Sequence, residues 1–182
     1  MKKIPTYFAI LTLALASLTT QAQADDAFRT ALVRELDNRA LATQVVGALA
    51  EHHQGTPQGR FWAAYVALEQ HNAPRYAPVA ARHGLSGGGW WIGLKARGSI
   101  LFARLFPERF LSMLAEGTGK YLAGMRAVAP PADTEDAAFL RYMIAQETVQ
   151  AGALAHAAAQ RFEVAAGALE GFVGREQDPE KE

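Results

Sequence analysis

Apolar residues recur at helical spacing along most of this chain, and this periodicity constrains the fold more than any other feature. The clearest stripe lies between 26 and 53, with apolar positions three to five residues apart, as on one face of a helix. Alanine is abundant and β-branched residues are sparse, which favours helix over strand. The sequence therefore predicts an all-α protein, a single up-down bundle of four main helices.

Start and stop signals divide these helices. Thr56 is a suitable N-cap, and Pro57 occupies the first helical position, where its missing N–H costs nothing. Pro74 and Pro78 are expected to kink or end this second helix. Three consecutive glycines at 87–89 then predict a flexible connection.

The last two predicted helices are also bounded by proline. The third begins at Trp90 and is broken near Pro107. After two further prolines, Asp133 or Thr134 is placed to cap the fourth helix. Its pattern predicts one continuous helix from about 135 to 173.

The first 24 residues have the features of a secretory signal peptide. Two lysines precede an apolar run at 8–18, and small residues flank Gln23 as in a signal peptidase site. We expect cleavage after Ala24, export to the periplasm and a mature chain that begins at Asp25. The predicted division is a signal peptide at 1–24, a helical bundle domain at 25–174 and a disordered charged tail at 175–182.

Composition excludes several classes of function. Loss of the two signal lysines leaves the mature chain with two more acidic than basic residues, whereas nucleic-acid-binding proteins usually carry a basic excess. We therefore expect no nucleic-acid partner. The chain has no cysteine, so it forms no disulfide and has neither thiol chemistry nor a cysteine metal site.

Two glutamates, Glu69 and Glu147, lie on the apolar stripes of the second and fourth predicted helices. Carboxylates are rarely buried unless they are paired, hydrogen-bonded or bound to metal. Each is followed three positions later by an amide that shares its helix face. The predicted ligand site or polar network consists of Glu69, Asn72, Tyr65, Tyr76, Glu147 and Gln150.

This order of helices and carboxylates resembles the ferritin-like superfamily over most of the mature domain. Di-iron bundles of that kind use Glu-x-x-His on two helices and one glutamate from each of the others. The resemblance implies metal ligands at Glu51, Glu69, Glu116 and Glu147, with Glu35 as the other candidate on the first helix. Both imidazole positions are amides here, Asn72 and Gln150, and an amide is a poor substitute for imidazole on iron. We therefore expect an altered or lost metal site and no bound cofactor, with iron or manganese as the alternative.

A second, shorter similarity is to the early part of heme-oxygenase-like and thiaminase-like domains. It rests on residues 51–72, where His52 and His53 precede a proline-started aromatic helix. Those domains bind cofactors between helices, through a histidine or carboxylates.

The segment that opens the third predicted helix is a candidate contact surface. Trp90 and Trp91 precede Lys95, a pattern that suits a helix lying on a membrane or against a partner. The alternative is that this helix covers the bundle core while its basic residues reach water.

No residues identify a catalytic site, since none of the serines has the G-x-S-x-G setting of a nucleophile. We expect a protein that binds a partner or a small apolar ligand rather than an enzyme. The alternatives are a metal-dependent oxidoreductase of the di-iron type and a membrane-surface or inhibitor-type protein.

Overall fold

The computed structural model describes residues 7–177, and it confirms that this part of the chain is all-α. No strand occurs among these residues. The six helices are α1 (Tyr7–His52), α2 (Pro57–Arg82), α3 (Trp90–Leu105), α4 (Pro107–Arg126), α5 (Thr134–Ala158) and α6 (Phe162–Gln177). Within the described range, none of them is both long and apolar enough to cross a bilayer.

The helices pack in a closed cyclic order. α1 packs on α2, α2 on α6, α6 on α5, α5 on α4, α4 on α3, and α3 returns to α1. α2 and α5 flank α6 in this ring and are in closer contact with α6 than with each other. The space between them holds the polar residues described below.

The predicted fourth helix is in fact two helices, so the prediction of one continuous element was wrong. Gln160 adopts a left-handed conformation with φ of 60°, and its N–H bonds the carbonyl of Ala157. The N–H of Arg161 bonds the carbonyl of His156, which completes a Schellman motif that ends α5. No glycine or proline marks this break, which is why the apolar pattern alone did not reveal it.

The prediction for the start of α2 was right, and of the two effects predicted for its prolines, a kink or an end of the helix, the end was wrong. Thr56 accepts a hydrogen bond from the N–H of Gly59 at 3.0 Å, as an N-cap should. The helix continues through both Pro74 and Pro78 to Arg82. Both prolines are exposed and lie one turn apart, so water can bond the carbonyls that they leave free.

α3 ends at Leu105 and α4 begins at Pro107, so the predicted break near that proline is present. α4 is therefore a separate element, and it packs directly on α5.

Helical structure extends past both predicted boundaries of the bundle domain. α1 is continuous from Tyr7 through the expected cleavage site, and Phe28 is fully buried. At the other end, α6 includes residues 175–177 of the predicted tail, and Glu176 pairs with Arg75. Residues 1–6 and 178–182 lie outside the described part of the chain.

Candidate functional site

Arg39 of α1 is the cation at the centre of a buried polar cluster. One guanidinium nitrogen lies 2.8 Å from Glu69 Oε2, and the other donates to Gln146 Oε1 at 2.9 Å. The guanidinium carbon is 4.2 Å from the ring centroid of Tyr76, over the aromatic face. Arg39 therefore links α1 to both α2 and α5 through the interior.

Glu35, one turn before Arg39, is fully buried. Its Oε1 lies 2.9 Å from the hydroxyl of Tyr76 on α2, and its Oε2 accepts from the hydroxyl of Tyr121 on α4 at 2.8 Å. Arg39 Nη1 is 3.9 Å away. These contacts hold the Glu35 carboxylate in a charge-assisted network that joins three helices.

Glu69 pairs with Arg39 and yet lies in a poorly solvated environment. Burial raises the pKa of Glu69 to about 7, with the Arg39 charge acting in the opposite direction and the negative charge of Glu35 adding to the rise. The proton affinity of this carboxyl is therefore well above that of an exposed glutamate.

Glu147 of α5 is buried without a cationic partner among the described residues. Its Oε1 accepts from the side-chain amide of Gln146 at 3.0 Å, and no lysine, arginine or histidine nitrogen of the described part lies within 4.0 Å. Burial, followed by the negative charges of Glu35 and Glu69, raises the pKa of Glu147 well above its usual value. These surroundings favour the protonated form of Glu147, which can donate a hydrogen bond.

The two amides predicted from the sequence are already engaged through their oxygens. Asn72 Oδ1 accepts from the hydroxyl of Tyr142, and Gln150 Oε1 accepts from the hydroxyl of Tyr65 at 2.8 Å. Their nitrogens are buried and have no hydrogen-bond partner. Such groups carry a desolvation cost of about 1–3 kcal/mol each.

A cavity of about 630 Å³ lies beside this cluster, between α1, α2, α4 and α5. Glu69, Glu147 and Gln150 line its polar part, and Arg34, Arg39 and Lys120 also line the cavity. The buried indole nitrogen of Trp62, another lining residue, has no hydrogen-bond partner among the described residues. The apolar wall consists mainly of Leu41, Val45, Val46, Phe110, Met113 and Leu114.

The cluster does not fit the di-metal site that the ferritin-like resemblance implies. The positive charge among Glu35, Glu69 and Gln146 is supplied by the Arg39 guanidinium. The oxygen of Gln150, which would have to replace an imidazole ligand, is occupied by the Tyr65 hydroxyl. Because a guanidinium and a metal ion cannot occupy the same anionic pocket, this arrangement favours an ion-pair network over metal coordination.

All six residues of the predicted network are buried. Within the set Tyr65 bonds Gln150, whereas Asn72 bonds Tyr142. The glutamate that α1 contributes is Glu35, because Glu51 is exposed sixteen residues further along the helix. Glu116 is exposed as well and pairs with Lys120 one turn away.

The remaining predicted residues lie elsewhere. Trp90 and Trp91 are exposed at the start of α3, with Lys95 Nζ 5.9 Å from the Trp91 ring centroid. His52 and His53, which carried the second resemblance, lie at the end of α1 and do not line the cavity.

Sequence reasoning missed Arg39, Gln146 and Tyr121. A signal existed for Arg39, because Glu35 and Arg39 are four residues apart and continue the apolar face that contains Leu32. Gln146 precedes Glu147 directly, and nothing in a helical pattern predicts that adjacent residues both point inward.

No protein-family model matches the chain, and neither a curated protein nor a solved structure matches it significantly.

Proposed function

We propose that the protein is an exported, ferritin-like helical bundle that binds a small, largely apolar molecule in the cavity beside Arg39. The observation that carries the proposal is the cavity itself, whose apolar wall meets a few convergent polar groups. Its volume of about 630 Å³ lies within the range of small-molecule sites, which have this combination of surfaces.

The unpartnered groups at the polar end support ligand binding. The nitrogens of Gln150 and Trp62 line the cavity and have no hydrogen-bond partner. A ligand that supplied acceptors would remove their desolvation cost and would gain orientation from them.

The fixed pairing of the charged groups supports binding rather than catalysis. Arg39 is paired with Glu69 and hydrogen-bonded to Gln146, and Glu35 is hydrogen-bonded to two tyrosines. In this proposal the network replaces the metal of a ferritin-like bundle and fixes the helices around the cavity. The signal peptide predicted from the sequence supports a periplasmic location in this proposal.

Two glycines of α4 allow a matched test. A Cβ at Gly117, which lines the cavity, or at Gly119, which does not, would meet no heavy atom within 4 Å. Gly117→Phe should therefore fill the cavity, and Gly119→Phe should leave it open. Native mass spectrometry of protein purified after export should find a bound small molecule on the wild type and on Gly119→Phe, and none on Gly117→Phe. Equal loading of all three proteins would contradict the proposal.

A second candidate function is attachment to a membrane surface. Seven of the nine large apolar side chains exposed among residues 21–176 belong to one region: Trp90, Trp91, Leu94, Leu101, Leu105, Phe106 and Met113. α3 also carries Lys95, Arg97 and Arg104 and contains no acidic residue. A helix with these properties suits an anionic membrane surface.

Vesicle sedimentation tests this second function. Phosphatidylglycerol vesicles should pellet the wild type more than phosphatidylcholine vesicles do, and the double change Trp90→Ser and Leu94→Ser should abolish the difference. Val164→Ser, at an exposed apolar side chain on α6, is the matched control. Pelleting that is indifferent to the two α3 changes would rule out this role.

A further inference from the structure

We propose that the cavity takes an uncharged ligand with an apolar body and a carbonyl oxygen at one end, bound by the Gln150 amide and the Glu147 carboxyl group. This inference rests on the proposed function and specifies the chemistry of its ligand.

The polar end of the cavity presents an unpaired hydrogen-bond donor. The acceptor oxygen of Gln150 is occupied by Tyr65, and Oε1 of Glu147 is occupied by Gln146. Gln150 is 4% exposed, and its amide nitrogen remains an unsatisfied donor that lines the cavity. The amide N–H group of Gln150 is therefore a free donor, and it requires an acceptor on the ligand.

The neighbouring charges bear on the protonation of the Glu147 carboxyl group. Its carboxyl lies near Glu35 and Glu69, and the single arginine of the cluster is paired with Glu69. Burial and these two negative charges raise the pKa of Glu147, which favours the protonated carboxyl, a form that can donate a hydrogen bond. Glu147 and Gln150 are three residues apart on α5 and share a helix face, so their donors can converge on one oxygen.

Charge selects between classes of ligand. An anion at this end would lie beside the buried carboxyl groups of Glu69 and Glu147, and Arg39 is already paired with Glu69. An ammonium group carries only donors, so the Gln150 amide would stay unpaired. A carbonyl oxygen has two lone pairs, one for each donor, and brings no charge into the interior.

A matched series of naphthalene probes tests the inference by titration calorimetry at pH 6. The four members share one apolar body: 2-acetonaphthone is the carbonyl probe, 2-naphthylmethylamine the cation, 2-naphthoate the anion and 2-ethylnaphthalene the hydrocarbon. We expect 2-acetonaphthone to bind at least about tenfold more tightly than the other three, since one net hydrogen bond is worth about a factor of ten.

Substitutions at Glu147 sharpen the test. Glu147→Gln keeps a donor at this position without a charge, so 2-acetonaphthone affinity should stay within about threefold of the wild type. Gln150→Met removes the other donor at similar size and should lower the affinity about tenfold. Thermal unfolding of each variant shows whether it remains folded before its affinity is interpreted.

The outcomes separate this inference from the proposed function. Preferential binding of 2-naphthylmethylamine that is lost in Glu147→Gln would overturn the inference, because it identifies an ammonium site. Preference for 2-naphthoate, or equal binding of the carbonyl and hydrocarbon probes, would also overturn it while cavity binding stands. Failure of all four probes to bind would overturn both the inference and the proposed function.

Discussion

Arg39 and Glu69 form an interior ion pair between α1 and α2, with the guanidinium and the carboxylate 2.8 Å apart. Both side chains are almost fully buried. The same arginine bonds Gln146 of α5, so one residue connects three of the helices that surround the cavity. Arg39 therefore ties together the helices beside the polar part of the cavity and supplies the cation next to Glu69.

Loss of the Arg39 cation should lower the free energy of unfolding. Arg39→Met keeps the aliphatic volume and leaves Glu69 without its partner, so we expect the free energy of unfolding to fall by about 3–5 kcal/mol. Urea denaturation measures this change. Arg60→Met is the control, because Arg60 pairs with exposed Glu163 and Glu170 on the surface, where an ion pair contributes about 0–1 kcal/mol. A similar cost for both variants would show that Arg39 has no special role.

The pH dependence of stability should carry the signature of Glu69. Because its pKa is raised from 4.5 to about 7 in the folded state, the folded protein binds this proton more tightly than the unfolded chain does. The contribution is fully present below about pH 4.5 and is lost as the pH rises through 7. The shift corresponds to about 3 kcal/mol.

Denaturation at pH 5 and pH 8 measures this effect. Stability should be greater at pH 5, and Glu69→Gln should reduce the difference relative to the wild type. Glu170→Gln, at the exposed end of a surface pair, should leave the difference unchanged. A wild-type protein that gains stability from pH 5 to pH 8 through Glu69 would contradict the assigned direction.

Removal of the predicted signal should leave the domain intact. Asp25 accepts a hydrogen bond from the N–H of Ala132 at 3.0 Å, and Phe28, three residues further along, is fully buried. We expect the exported protein to begin at Asp25 by intact mass, and a 25–182 chain to unfold cooperatively. Phe28→Ala in that chain should cost about 3–5 kcal/mol by urea denaturation. An exported product that retains residues 1–24 would refute the cleavage prediction.

The parts of the fold that follow from local chemistry could be predicted from the sequence. The Thr56 cap with Pro57 behind it, and the Asp133 cap of α5, depend only on neighbouring residues, and both are present. The break after Ala158 could not be predicted, because it depends on Gln160 adopting a conformation that glycine usually supplies.

The site was predictable only in part for a similar reason. Burial of Glu69 and Glu147 follows from their place on apolar stripes, so their inward orientation was expected. Their partner was not, because the pairing of Arg39 with Glu69 spans thirty residues and depends on how α1 and α2 pack. A periodic pattern shows which face of a helix is buried, but it does not show which residues of another helix that face meets.

Titration of 2-acetonaphthone into the wild type, Gly117→Phe and Gly119→Phe tests the central claim most directly. Gly117 lines the cavity and Gly119 does not, while both positions have open space for a side chain. We predict one saturable site on the wild type and on Gly119→Phe, and no measurable binding to Gly117→Phe. Binding to Gly117→Phe with wild-type affinity would show that the cavity beside Arg39 is not the ligand site.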